Sequence, residues 1–67
     1  MELGNNIRRC RFEKNEMTQQ ELANAVGVTK QTIFSIEKGK FNPSTLLALK
    51  LARFFEKSAD DIFYLID

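Results

Sequence analysis

Histidine and tryptophan are absent from this 67-residue chain, cysteine and proline occur once each, and glycine occurs three times. Without histidine the commonest general base and the commonest metal ligand are both missing. A lone cysteine, Cys10, forms neither an internal disulfide nor a zinc knuckle. No apolar run is long enough to span a bilayer, and no signal-peptide core follows Met1. A glycine-rich phosphate loop is missing too. These gaps argue against an enzyme and against any bound metal or cofactor, and lead us to expect a cytoplasmic, non-secreted binding domain. Ten basic residues against nine acidic ones give a net charge of +1, which excludes a uniformly basic coat but not a local basic face. The 43% apolar fraction is too high for disorder. The length allows one domain over 1–67, burying only about 60% of the surface its unfolded chain exposes.

Scarce proline and glycine, and no stretch of strict apolar–polar alternation, predict an all-α fold: five helices, compactly packed. The first spans about 5–14, with Leu3, Ile7 and Cys10 on one face. Thr18 opens the second as N-cap, Glu21 completes a capping box, and Gly27 ends it in a left-handed conformation. Thr29 caps the third, which carries Ile33 and Ile36 and stops near Lys38-Gly39. Asn42-Pro43 reads as N-cap plus first-turn proline of a fourth helix reaching about Phe55. Apolar residues around most of its circumference, including Leu46 and Leu49, predict the central helix of the core. Ser58 caps a fifth helix, with Asp60 and Asp61 in its first turn explained by the helix dipole rather than a metal. Its apolar end holds Ile62, Phe63, Leu65 and Ile66.

Only Gly27-Val28 separates the second helix from the cap of the third, so the pair over about 18–37 must cross steeply, as in a helix-turn-helix. Ala23 is small where the two helices approach, and Val28 plugs their angle. At about 100° per residue, Lys30, Gln31, Phe34, Ser35 and Lys38 fall within an arc of about 140°, with Thr32 at its border and Ile33 and Ile36 opposite. Lysine and glutamine hydrogen-bond base edges, serine is adaptable, and an aromatic edge suits a thymine methyl. No carboxylate interrupts that stripe, so it is suited to lie in a DNA major groove. Phe34 has two readings here, packing on the 39–41 loop or touching DNA.

The stretch Met17-Thr-Gln-Gln-Glu-Leu-Ala-Asn-Ala-Val-Gly-Val-Thr-Lys-Gln-Thr-Ile-Phe-Ser-Ile-Glu-Lys-Gly-Lys-Phe-Asn-Pro-Ser44 resembles the lambda-repressor-like (Cro/repressor-type, XRE) helix-turn-helix family, in particular its compact single-domain regulators. The likeness continues through Ala48-Leu49-Lys50-Leu51-Ala52 and Asp60-Asp61-Ile62-Phe63. It implies a transcriptional regulator that binds double-stranded DNA, with Lys30 and Gln31 in the main base-reading positions and Ser35 one turn further on. By the same resemblance Gln19 grips a backbone phosphate, and Thr29 and Thr32 touch phosphate or flanking bases. Lys38, Lys40 and Asn42 belong to the loop that meets the backbone, and Arg11 with Glu37 matches a structural salt bridge. Asn15-Glu16 lengthens the loop after the first helix by about one residue relative to many members.

The family's usual assembly is a twofold homodimer that sets two recognition helices roughly 34 Å apart on a near-palindromic operator. The interface expected for it is the apolar C-terminal end, about 54–67, with Phe55, Phe63, Tyr64, Leu65 and Ile66, and Phe54 beside them. Occupancy of promoter DNA then gives repression. An antitoxin-type module that binds DNA while its C-terminal surface holds a protein partner is the alternative. Neither a membrane nor a small-molecule ligand is implied. Cys10 reads as a small buried hydrophobe rather than a redox sensor.

Overall fold

The computed structural model describes all residues from Met1 to Asp67. Five helices follow one another as α1 (Ile7–Glu13), α2 (Gln19–Val26), α3 (Lys30–Glu37), α4 (Thr45–Phe55) and α5 (Ala59–Ile62). They are bracketed by two short strands, β1 (Glu2–Asn5) and β2 (Phe63–Ile66). The strands pair antiparallel, Leu3 opposite Leu65 and Gly4 opposite Tyr64, so the two ends of the chain meet in one ribbon. The fold is therefore mostly helical but not all-α.

Hydroxyl caps set most helix starts. Thr18 Oγ1 accepts the Glu21 amide at 3.0 Å while Glu21 Oε1 accepts the Thr18 amide at 2.8 Å, closing the expected capping box. Thr29 Oγ1 accepts the Thr32 amide at 3.2 Å. Gly27, at φ +77°, ends α2 in the left-handed conformation, and the Val28 amide turns back to the Ala23 carbonyl at 2.9 Å. The tight turn between α2 and α3 follows from these contacts.

Ile7, Leu22, Ile33, Ile36, Leu51 and Ile62 are the largest fully buried side chains, one or two from each helix. No charged or polar side chain is buried among them, and no buried side-chain polar atom lacks a partner. Cys10 is part of this core, and burial pushes its thiol pKa up, against the smaller opposing pull of Lys57 and Arg9. That is the environment of an inert thiol.

Four expectations need correction. The first helix begins at Ile7, because Leu3 is in β1, and the apolar run after Ile62 leaves the helix as strand, with Phe63 at φ −111°, ψ 143°. Ser44, not Asn42, caps α4: its Oγ accepts the Leu47 amide at 3.1 Å, and Pro43 lies outside the helix. In α4 only one face is buried, with Leu47, Leu51, Ala52 and Phe55, while Leu46 and Leu49 are 65% and 57% exposed.

Gly4 is buried in the ribbon, and a Cβ there would collide with the Tyr64 ring and come within 2.8 Å of Ile66 Cδ1. The tyrosine folds over the bare backbone of its cross-strand neighbour. Gly4→Ala is expected to cost about 1–2 kcal/mol by overpacking, and much less in a Tyr64→Ala background, since the clash belongs to the pair. Thermal denaturation of the four proteins in that cycle measures both quantities.

Candidate nucleic-acid interface

The residues on the outward side of α3 derive their placement from the buried one. Ile33 and Ile36 are 0% and 1% exposed, which turns Lys30, Gln31, Phe34 and Lys38 to solvent and leaves Thr32 and Ser35 half-buried at the edges. Gln31 Nε2 lies 3.4 Å from Ser35 Oγ, so these two polar groups share one stretch of the helix surface. Lys30 forms no ion pair. Thr29 and Thr32 bring their hydroxyls within 3.0 Å of each other at the helix start. Beyond α3, Lys38, Lys40 and Asn42 are exposed on the connection to α4. Gly39, at φ +75°, makes that turn, and the Lys40 amide donates to the Ser35 carbonyl at 2.9 Å.

Glu37, the single acid of α3, is spoken for. Arg11 Nε and Nη2 reach its two carboxylate oxygens at 2.7 and 3.0 Å, and Gln19 Nε2 reaches Oε1 at 3.1 Å. The Arg11 and Glu37 side chains are only 14% and 8% exposed. The third arm of the guanidinium, Nη1, donates to the Met17 carbonyl at 2.8 Å, just before α2. The loop after α1 turns on two consecutive left-handed residues, Asn15 at φ +64° and Glu16 at φ +56°, and the ion pair forms beside it. Gln19 is thereby held at the start of α2 and beside α3.

A polar notch opens between α1 and α3, lined by Asn5, Arg8, Arg11, Gln19, Phe34, Glu37 and Lys38. Phe34 faces this notch, 38% exposed, with the Lys38 ammonium 5.7 Å from its ring centroid. Asn5 fixes the notch to the ribbon: its Nδ2 donates to the Ile36 carbonyl at 2.9 Å and its Oδ1 accepts the Ile7 amide at 3.2 Å. Among the arginines of α1, Arg9 has Glu13 one turn ahead and Arg11 has Glu37, whereas the residue one turn beyond Arg8 is Phe12. Arg8 is the arginine of α1 without a carboxylate partner.

The C-terminal apolar residues divide. Tyr64, Leu65 and Ile66 are exposed, Leu65 at 68%, and Phe63 is half-buried. Phe55 is a core residue at 8% exposure and so is not available to a partner surface. Phe54 packs edge-on against Phe55, centroids 5.2 Å apart, with the Lys14 ammonium 5.1 Å from its ring. Leu49, which the sequence suggested for the core, instead borders a surface hollow with Leu3, Pro43, Phe63, Tyr64 and Leu65. No helix is long and apolar enough to cross a membrane, and no three potential metal ligands come together.

The family described as helix-turn-helix matches residues 7–62. Among similar proteins, an uncharacterised HTH-type transcriptional regulator of Archaeoglobus fulgidus is 56% identical over 50 residues, covering 75% of this chain and 70% of that protein. A second, from Methanocaldococcus jannaschii, is 51% identical over 49 residues, 73% of this chain and 74% of its own. The cryptic phage CTXphi transcriptional repressor RstR of Vibrio cholerae is 41% identical over 49 residues, 73% of this chain and 43% of its own.

Removing one member of the Arg11–Glu37 pair strands a charge that is almost out of solvent. Arg11→Met is expected to destabilise the fold by about 2–4 kcal/mol, and the double variant Arg11→Met/Glu37→Leu to recover most of that loss. Urea denaturation of wild type and both variants checks the ordering.

Proposed function

This chain belongs to the helix-turn-helix family, and we propose that it is a sequence-specific double-stranded DNA-binding transcriptional regulator whose α3 reads base edges in the major groove. One observation carries the reading. The solvent side of α3 presents Lys30 and Gln31, with Ser35 at its half-buried edge, and the helix's single carboxylate is turned away and neutralised by Arg11. Lysine and glutamine at the first turn have the donors and acceptors that distinguish base pairs, each good pairing being worth about 1–3 kcal/mol against the wrong base. Lys38, Lys40 and Asn42 on the loop beyond, Thr29 and Thr32 at the helix start, and Gln19 at the start of α2 take the backbone phosphates. Such contacts position the helix without reading sequence.

A second copy of the chain completes the reading, because one short recognition helix spans too few base pairs for tight, specific binding. Tyr64, Leu65 and Ile66 with Leu49 offer the apolar patch for a twofold contact. Two recognition helices would then enter successive major grooves of a near-palindromic operator. Repression is the output we favour: a dimer on promoter DNA excludes polymerase by occupancy, and a relative 41% identical over 49 residues is named as a phage repressor.

Two measurements test these statements. In duplexes selected from a random pool, Lys30→Ala and Gln31→Ala are expected to change sequence preference. Lys40→Ala is expected to weaken all duplexes alike and reduce the salt dependence by about one unit of slope; unchanged preference in both helix variants would defeat the base-reading assignment. In sedimentation at micromolar concentration, wild type is expected as a dimer and Leu65→Asp as a folded monomer. A monomeric wild type would remove the dimer from the proposal.

A further inference from the structure

We infer that the notch between α1 and α3 is a subsite for one thymidine nucleotide of the bound duplex, with the thymine methyl against Phe34 and its phosphate against Arg8; this rests on the major-groove reading of α3. Phe34 carries no donor or acceptor, and the one apolar feature among the major-groove edges of the four bases is the C5-methyl of thymine. Its ring is held from above by the Lys38 ammonium at 5.7 Å, and its remaining exposed portion opens on the notch it shares with Arg8. Charge points the same way. Arg8, Arg11 and Lys38 line the notch against a single carboxylate, Glu37, and both oxygens of that carboxylate already accept hydrogen bonds from Arg11 or Gln19. Arg11 is committed to that pair and to the Met17 carbonyl, whereas Arg8 has no acidic partner. An unpaired guanidinium beside an exposed aromatic surface offers an anion site and a methyl site side by side. A base methyl and the phosphate of the same nucleotide present that combination on the wall of the major groove. Arg8 acquires a partner only when the phosphate arrives.

The test uses the full chain and a duplex selected by it. Each thymine in turn is replaced by deoxyuridine, and each phosphate in turn by an uncharged methylphosphonate. One thymine per half-site is expected where loss of the methyl weakens binding about fourfold, the worth of one buried methyl group, and where Phe34→Ala abolishes that discrimination. The methylphosphonate at the same nucleotide is expected to weaken wild type but not Arg8→Gln. Arg8→Gln should also lower the salt slope by about one per protomer, while Arg9→Gln, whose arginine is paired with Glu13, leaves it unchanged. Circular dichroism establishes that the variants are folded. Binding indifferent to every deoxyuridine replacement, a slope unaltered in Arg8→Gln, or methyl and phosphate effects on different nucleotides would each overturn the subsite. If Lys30→Ala and Gln31→Ala also leave sequence preference intact, or no duplex is bound at all, the groove reading itself falls and the subsite with it.

Discussion

The guanidinium of Arg11 is the point at which three helices are referred to one another. Its two prongs on Glu37 join the last turn of α1 to the last residue of α3, and its third arm holds the Met17 carbonyl at the approach to α2. A glutamate at a helix C-terminus works against the macrodipole, so Glu37 is tolerable there because a fixed cation and the Gln19 amide meet it. The planar fork matters, since a lysine ammonium does not hold both oxygens and a carbonyl in one arrangement. The outward side of α3 is consequently presented at a defined angle to α1 and α2, and a helix that reads a groove needs that constancy more than it needs raw stability.

Around that joint the molecule divides its labour by side. The buried faces of α1 to α5 form one apolar cluster without a polar group in it, leaving polar function to the periphery. On one side lie α3, the loop after it and the notch beside α1. The ribbon and the exposed flank of α4 carry the apolar surface instead, with Leu49, Tyr64 and Leu65 around a common hollow. Asn5 spans the two, since it ends β1, supports the first turn of α1 and holds the Ile36 carbonyl near the end of α3.

Much of this was legible in the residues because it is local. The Thr18–Glu21 box, the Gly27 turn, the Thr29 cap and the inward isoleucines of α3 each depend on neighbours within a turn or two. What escaped depends on distant partners. Four-residue strands are too short to establish an alternating period, and Leu3 has its partner, Leu65, at the opposite end of the chain. Ile62, Phe63, Leu65 and Ile66 satisfy helical spacing as well as strand formation; pairing with β1 decides between them. Asn42-Pro43 and Ser44 compete as starts for α4, and the serine hydroxyl wins by reaching the Leu47 amide. Leu46 and Leu49 look like core because hydrophobicity does not say which side of a helix has a neighbour, and Phe55 looked like surface for the same reason. Of the interface, the stripe on α3 followed from helical rotation alone, while the notch that Arg8 shares with Phe34 and Lys38 depends on how α1 packs beside α3.

The ribbon makes the molecule behave like a bracelet with a clasp. Its pairing spans nearly the entire chain and therefore carries the largest loop-closure cost of any contact here, while the helices need only short loops to assemble. The clasp thus leans on the helical body, which holds its two halves within reach of each other. Since Asn5 is one of its links, an undone clasp also loosens the far end of α3, so fraying at the ends of the chain is felt at the surface that would meet nucleobases.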